Sequence, residues 1–249
     1  MNARKPSTAI GLDISTNSVK LAELTFNRGE VVLTNLGIVH IPEGVIRDGE
    51  VEDGVTLAES LKQLWGMTGA KGHSVTLGIA NQKVIVRPIE IPYMEKEELE
   101  TALRFQVQEF IPIPIEDAIL DFDIIEEFMT ADEERMLTVL LVAAHKDMIQ
   151  SFIEVLRAAG LSASAIDLKA FALARSLVSR NSPESYQEAE AICLINIGAG
   201  ITNVTILRDN IPRFARFILR GGDDFDRALM NRLDMDEGEA EEYRRGKQS

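Results

Sequence analysis

Cysteine is nearly absent. Cys193 is the only one in 249 residues, so no disulfide framework and no thiolate metal site forms within the chain. Set inside an apolar run, that thiol is expected to be buried and inert. Histidine is scarce too: His40, His73 and His145 lie far apart without metal-ligand spacing, and their expected roles are capping and packing. Aromatic residues make up 6%, and no apolar run reaches the ~18 residues of a membrane span. The opening "MNARKPSTA" lacks the apolar core of a secretory signal. The expected location is therefore cytoplasmic, with any membrane reached through a partner. Positive charge is in short supply, with 26 Lys and Arg against 40 Asp and Glu and a net charge of −14. That balance argues against nucleic acid or anionic lipid as the main partner. Walker A, zinc and nucleophile-elbow patterns are missing as well.

What is present is a 45% hydrophobic content, enough for a sizeable core. The acid excess is local: between Glu90 and Glu134 stand 15 acidic residues against Lys96 and Arg104. This segment is either a solvated face or a docking surface for a basic partner. Three alternating runs, Thr8–Ile14, Ser18–Phe26 and Glu30–His40, predict an antiparallel meander, and a helix is expected near Asp53–Thr68. Strands with one helix, roughly Ser74 to Ala144, predict a two-layer insert. A helix (Lys146–Ala159), a strand "SASAID" and a helix "LKAFALARSLV" follow. Then the opening pattern returns in Ala191–Ile197, Thr202–Arg208 and Ile211–Leu219, with a helix from about Asp223. Sliding "GLDISTN" (Gly11–Asn17) onto "LINIGAG" (Leu194–Gly200) pairs Asp13 with Asn196 and Lys20 with Asn203. The expected organisation is a duplicated α/β domain of four parts, residues 1–73, 74–145, 146–182 and 183–249, with the two strand-turn-strand units facing across a cleft.

Tight turns rich in Gly, Ser, Thr and Asn aim backbone N–H groups and hydroxyls at one point and so bind phosphate. In the first turn Ser15, Thr16, Asn17 and Ser18 supply donors, and Lys20 offers a point charge to a β- or γ-phosphate. Asp13 suits Mg²⁺, which takes one or two carboxylates together with phosphate oxygens. In the second turn, Gly198–Ala199–Gly200, the glycines permit close backbone approach. Gly221 and Gly222 either contact phosphate or simply start the next helix.

These stretches resemble the actin-like ATPase superfamily and, more narrowly, the PilM family of type IV pilus assembly proteins, relatives of the cell-division protein FtsA. The resemblance rests on "AIGLDISTNSVKLAEL", "KVIVRPIEIP" with "FQVQEFIPIPIEDAILDF", "AIDLKAFALAR", "INIGAGITNVTIL" and "LRGGDDFDRAL". It implies an actin-like, RNase H-like duplicated fold with an FtsA/PilM-type 1C subdomain as the insert, and ATP with Mg²⁺ as cofactors. Asp13, Thr16, Asn17 and Lys20 would face phosphates and metal, with Asn196, Gly198, Gly200 and Thr202 opposite. Asp167 would stand where a residue orients the hydrolytic water, and Glu241 and Arg244 near ribose or adenine. Ser15 departs from the usual Gly, and Asn196 from the usual Asp, which implies weak or no ATPase activity. Family members continue for roughly another third beyond "EGEAEEYRRGKQS", so the opposing adenosine wall is expected outside these residues. The implied partner is an N-terminal peptide of the inner-membrane protein PilN, held in a groove between the first subdomain (1A) and the 1C insert. It should involve the "VRPIEIP" strand and the helix ending in "EFIPIP", whose apolar residues are expected to be exposed. Pilus motor ATPases and further copies of the chain are the other implied partners. The alternatives are a nucleotide-independent interaction module of a pilus or type II secretion platform, and a small-molecule kinase of the same fold.

Overall fold

The computed structural model describes residues 7–27, 29–178 and 191–246. The expected boundary at residues 182 and 183 and the opening "MNARKP" lie outside the described residues. The chain begins with three strands, β1 (Ser7–Ile14), β2 (Ser18–Asn27) and β3 (Glu30–His40), paired antiparallel as their alternation and short turns require. A ribbon of β4 (Ile46–Arg47) and β5 (Glu50–Val51) leads into α1 (Gly54–Thr68). Asp53 starts that helix: its Oδ1 accepts from the N–H groups of Val55 and Thr56 at 3.1 and 3.0 Å. Gly69, in the left-handed region at φ 66°, ends it.

Next come β6 (Ser74–Ile79), β7 (Val84–Pro92), α2 (Lys96–Gln106), β8 (Ala118–Met129), β9 (Arg135–His145), α3 (Lys146–Ala158), β10 (Ser162–Leu168) and α4 (Lys169–Leu177). β6 runs parallel to both β1 and β10, giving a five-stranded sheet of order β10-β6-β1-β2-β3. Its buried face packs Ile10, Leu12, Ile14, Val19 and Leu21 against Leu57, Leu61 and Leu64 of α1 and Phe152 and Leu156 of α3. The sequence reading put Ser74–Ile79 at the head of the insert. It is instead a middle strand of the main sheet, because the free parallel edges of β1 and β10 need a partner and an apolar strand reads alike in either sheet.

The insert proper is an antiparallel sheet, β7-β9-β8, with α2 across one face and a core of its own. That core takes in Ile89, Ile91, Leu99, Leu103, Val107, Leu137, Val139 and Leu141. It also takes in Ile111 and Ile113, which are only 3% and 2% exposed. The isoleucines of "VRPIEIP" and "EFIPIP", expected to be exposed, are instead buried and seal the insert.

The second half repeats the meander as β11 (Ile192–Ile197), β12 (Thr202–Arg208) and β13 (Ile211–Ile218), followed by α5 (Gly222–Leu233) and α6 (Glu237–Arg244). The register repeats too. Asp13 stands opposite Lys20 and Ile14 opposite Val19 in the first hairpin; Asn196 stands opposite Asn203 and Ile197 opposite Thr202 in the second. α4 lies between the two sheets, packing on β10 and β12, with Ala174 against Leu207.

The two meanders differ in cover. Ile10, Leu12 and Ile14 are buried, whereas their counterparts Cys193, Ile195 and Ile197 are exposed, the last two by 62% and 58%. Among the described residues β11 pairs only with β12, and no strand takes the place that β6 holds beside β1. Cys193 is accordingly exposed rather than buried. Alternation gave it the right face, but among the described residues no layer covers that face.

Candidate functional site

Each hairpin ends in a four-residue turn closed in the same way. The Ser15 N–H donates to the Ser18 carbonyl at 2.8 Å, and the Gly198 N–H to the Ile201 carbonyl at 3.0 Å. Among the described residues, the N–H groups of Thr16, Asn17, Ala199 and Gly200 donate to no backbone carbonyl. The turns meet tip to tip: a Cβ added at Gly200 would lie 2.6 Å from Thr16 Oγ1. Between them is a cavity of about 290 Å³. The second turn is held from behind, because the N–H groups of Gly222 and Asp223 donate to the carbonyls of Gly198 and Ala199 at 2.8 and 3.0 Å. Gly221 allows that approach, since a Cβ there would stand 2.1 Å from the Ala199 carbonyl oxygen.

Among the described residues Asp13 is the only acid lining the cavity, and it is heavily partnered. Ser15 Oγ donates to its Oδ2 at 3.0 Å, Lys20 Nζ donates to the same oxygen at 3.1 Å, and Lys169 Nζ lies 2.5 Å from Oδ1. Burial pushes the Asp13 carboxyl up, but Lys169 and then Lys20 outweigh it and hold the group below its ordinary value. Burial lowers the Lys169 ammonium against the pull of Asp13. Opposite stand two neutral amides, Asn196 and Asn203. Asn203 is 4% exposed, and its Oδ1 has no hydrogen-bond partner.

Of the residues expected here, Asp13, Ser15, Thr16, Asn17, Lys20, Asn196, Gly198, Ala199 and Gly200 all line the cavity. The others do not. Ser18 is buried and donates to Asn17 Oδ1, and Thr202 Oγ1 donates to the Arg220 carbonyl. Gly221 and Gly222 stand behind the second turn, where the N–H of Gly222 is already used. Arg244 forks onto Asp226 at 2.6 and 2.9 Å, while Glu241 pairs with Arg245. Asp167 pairs with Arg175 and lines a different pocket. Two polar side chains of the cavity were not foreseen, Lys169 and Asn203. Lys169 starts a helix, where a lysine reads as a solvated charge; Asn203 was legible only as the partner of Lys20 in the repeat.

Among the described residues no three His, Cys, Asp or Glu side chains converge on a metal position. Asp13 alone can offer a carboxylate, which fits Mg²⁺ only when phosphate oxygens complete its shell. The two lysines and the unspent N–H groups fit the phosphates directly.

The second pocket, of about 500 Å³, opens between the insert, α4 and the β12–β13 turn. Phe122, Ile124, Leu140 and Phe171 give it apolar walls, with Asp121, Asp123 and Asp167 among its lining.

Comparison with known proteins gives a match to the family model described as Type IV pilus assembly protein PilM over residues 11–249. Among solved structures the chain is similar to one titled PilM-PilN type IV pilus biogenesis complex, with 29% identity and a TM-score of 0.80, covering 95% of this chain and 69% of that one. It resembles the cytoplasmic domain of EpsL, an inner-membrane component of the type II secretion system of Vibrio cholerae, at 14% identity and TM-score 0.51, covering 93% and 79%. A third similar structure is the ethanolamine utilization protein EutJ from Carboxydothermus hydrogenoformans, at 13% identity and TM-score 0.51, covering 96% and 62%. The last two likenesses concern the fold alone.

Proposed function

The chain belongs to the family of the type IV pilus assembly protein PilM and has the actin-like ATPase fold, and on that premise we propose that it is a nucleotide-binding scaffold of the pilus assembly machinery. Its nucleotide is ATP, with the phosphates between the twin turns and Mg²⁺ carried in with them. The observation behind this reading is the pair of turns in matched register, closed alike, with Lys20 and Lys169 beside a single acid. Turnover is slow, because Asn196 leaves the second turn without a negative charge to act on an attacking water. Calorimetric titration with Mg-ATP tests the reading. Heat that saturates one site per chain supports it, and silence at millimolar nucleotide favours an interaction module that works without nucleotide.

The partner in this reading is a short cytoplasmic peptide of a PilN-type inner-membrane protein, which brings the chain to the membrane surface. Among the described residues, no helix is long and apolar enough to cross a membrane. Segments flanking a span on the cytoplasmic side are rich in Lys and Arg. Such a peptide complements the second pocket, whose acids flank an apolar floor. A peptide of this kind should bind with a fluorescence-polarisation signal that is lost in Phe171→Asp. Unchanged binding would move the partner elsewhere.

A further inference from the structure

Lys169 has no place in the reading above beyond its charge, yet its setting is specific. It is the first residue of α4, and its side chain runs back across β6 at Gly78, where a Cβ would sit 3.4 Å from Lys169 Cγ. The side chain therefore passes close over the backbone of that strand. At the far end, Nζ donates to the Ile14 carbonyl at 2.5 Å and lies 2.5 Å from Asp13 Oδ1. Its side chain is 17% exposed, against 44% for Lys20. Lys20 and Ser15 hold the other carboxylate oxygen. A cation of the cavity lining is thus fixed beside Asp13, among the described residues the only acid there and so the carboxylate a divalent metal would need. The amides Asn196 and Asn203 across the cavity add no negative charge to recruit a metal.

We infer that Lys169 is a built-in counter-cation, which lets this cavity hold the triphosphate of a nucleotide without a divalent metal and gives up Asp13 when Mg²⁺ arrives with the nucleotide. The triphosphate part rests on the proposed nucleotide function; the competition for Asp13 does not. An ammonium group is a compact point charge with three donors. It can satisfy Asp13 in the empty cavity and turn to a phosphate oxygen in the filled one without leaving its place. A lysine that merely ties α4 to the sheet would have no such preference between metal-free and metal-bound nucleotide.

The test is calorimetry with ATP in excess EDTA and in excess Mg²⁺, using the whole 249-residue chain. For the unaltered chain the two dissociation constants should agree within about threefold. Lys169→Met should weaken metal-free ATP by about tenfold or more, the scale of one lost charge-assisted contact, and change Mg-ATP by less than about threefold. Lys169→Arg should keep metal-free binding. An unaltered chain that needs the metal by tenfold or more overturns the inference, as does a Lys169→Met variant weakened equally in both buffers. If Lys169→Met does not fold, the first comparison and the Arg variant decide. A separate thermal-shift arm uses Mg²⁺ alone: no rise for the unaltered chain and a rise for Lys169→Met. A chain that binds no ATP in either buffer would end the nucleotide reading, while this arm would still show whether Lys169 keeps a cation away from Asp13. A rise for the unaltered chain with Mg²⁺ alone would show that it does not.

Discussion

Asn196 and Asp13 hold one position in two hairpins and differ by a charge. An amide at 196 keeps an acceptor oxygen for a water but cannot orient that water as a carboxylate does, and charge-assisted hydrogen bonds are roughly twice as strong as neutral ones. Removing one group aimed at a transition state commonly costs on the order of 10²–10³ in rate. Asn196→Asp should therefore raise phosphate release far more than it changes ATP affinity, read by a release assay beside calorimetry. Equal gains in both would mean that the residue serves binding instead. Asp13 makes a prediction in pH. Its carboxyl is held below the ordinary 3.8 because the lysines outweigh burial, so its contribution to stability is present above that value and fades as pH falls through the lower folded-state value. Asp13→Asn, which leaves two ammonium groups uncompensated, should cost about 1–2 kcal/mol at neutral pH, a figure reduced from that of a fully buried pair because the Asp13 side chain is 36% exposed. Melting curves of the two proteins should converge as pH falls below 3.8 and through the lowered folded-state value of Asp13; a constant gap would contradict the ion-pair account. The turn residues of this site were legible from residue type and spacing. Lys169 was not, because what brings it to Asp13 is the register of β1, β6 and β10, strands far apart in sequence.

At the scale of elements, alternation told which residues share a face but not whether anything covers it. In β1 that face meets α1 and α3 and is buried; in β11 the same face is open. The strand also has an unpaired edge among the described residues, and an apolar edge invites pairing with other chains. Ile195→Lys with Ile197→Lys should thus shift concentrated samples toward monomer in light scattering. Stability should change by no more than ~0.5 kcal/mol, as for surface substitutions generally. A large loss of stability would show that these side chains are packed in solution. The same uncertainty moved β6 between sheets, since the choice of neighbours for a buried parallel strand is made by edges elsewhere in the fold. The exposure of Ile111 and Ile113 was misread for a related reason: isoleucines flanking Pro112 look like a surface motif until the core they share with α2 and β9 is seen.

For the whole molecule, the two separate cores make the insert removable in principle. Val84 and Ala144 are register partners at its base, so a short Gly-rich link can replace Ile85–Ala143 while keeping both ends and sparing β6. The shortened chain should melt cooperatively and still respond to ATP, but it should no longer bind the basic peptide; loss of the ATP response would mean that the insert supports the cavity. It would also lose the 3.0 Å pair between Arg213 and Glu126 that ties β13 to β8, a modest cost at a partly exposed site. The matched hairpin register has one more use, as a control that the molecule supplies itself. Exchanging the acid and the amide, with Asp13→Asn and Asn196→Asp made together, preserves composition, length and net charge. Only the address of the carboxylate changes. Any difference in how the swapped protein handles ligand would measure, free of dosage effects, how far the two descendants of one ancestral hairpin have parted company.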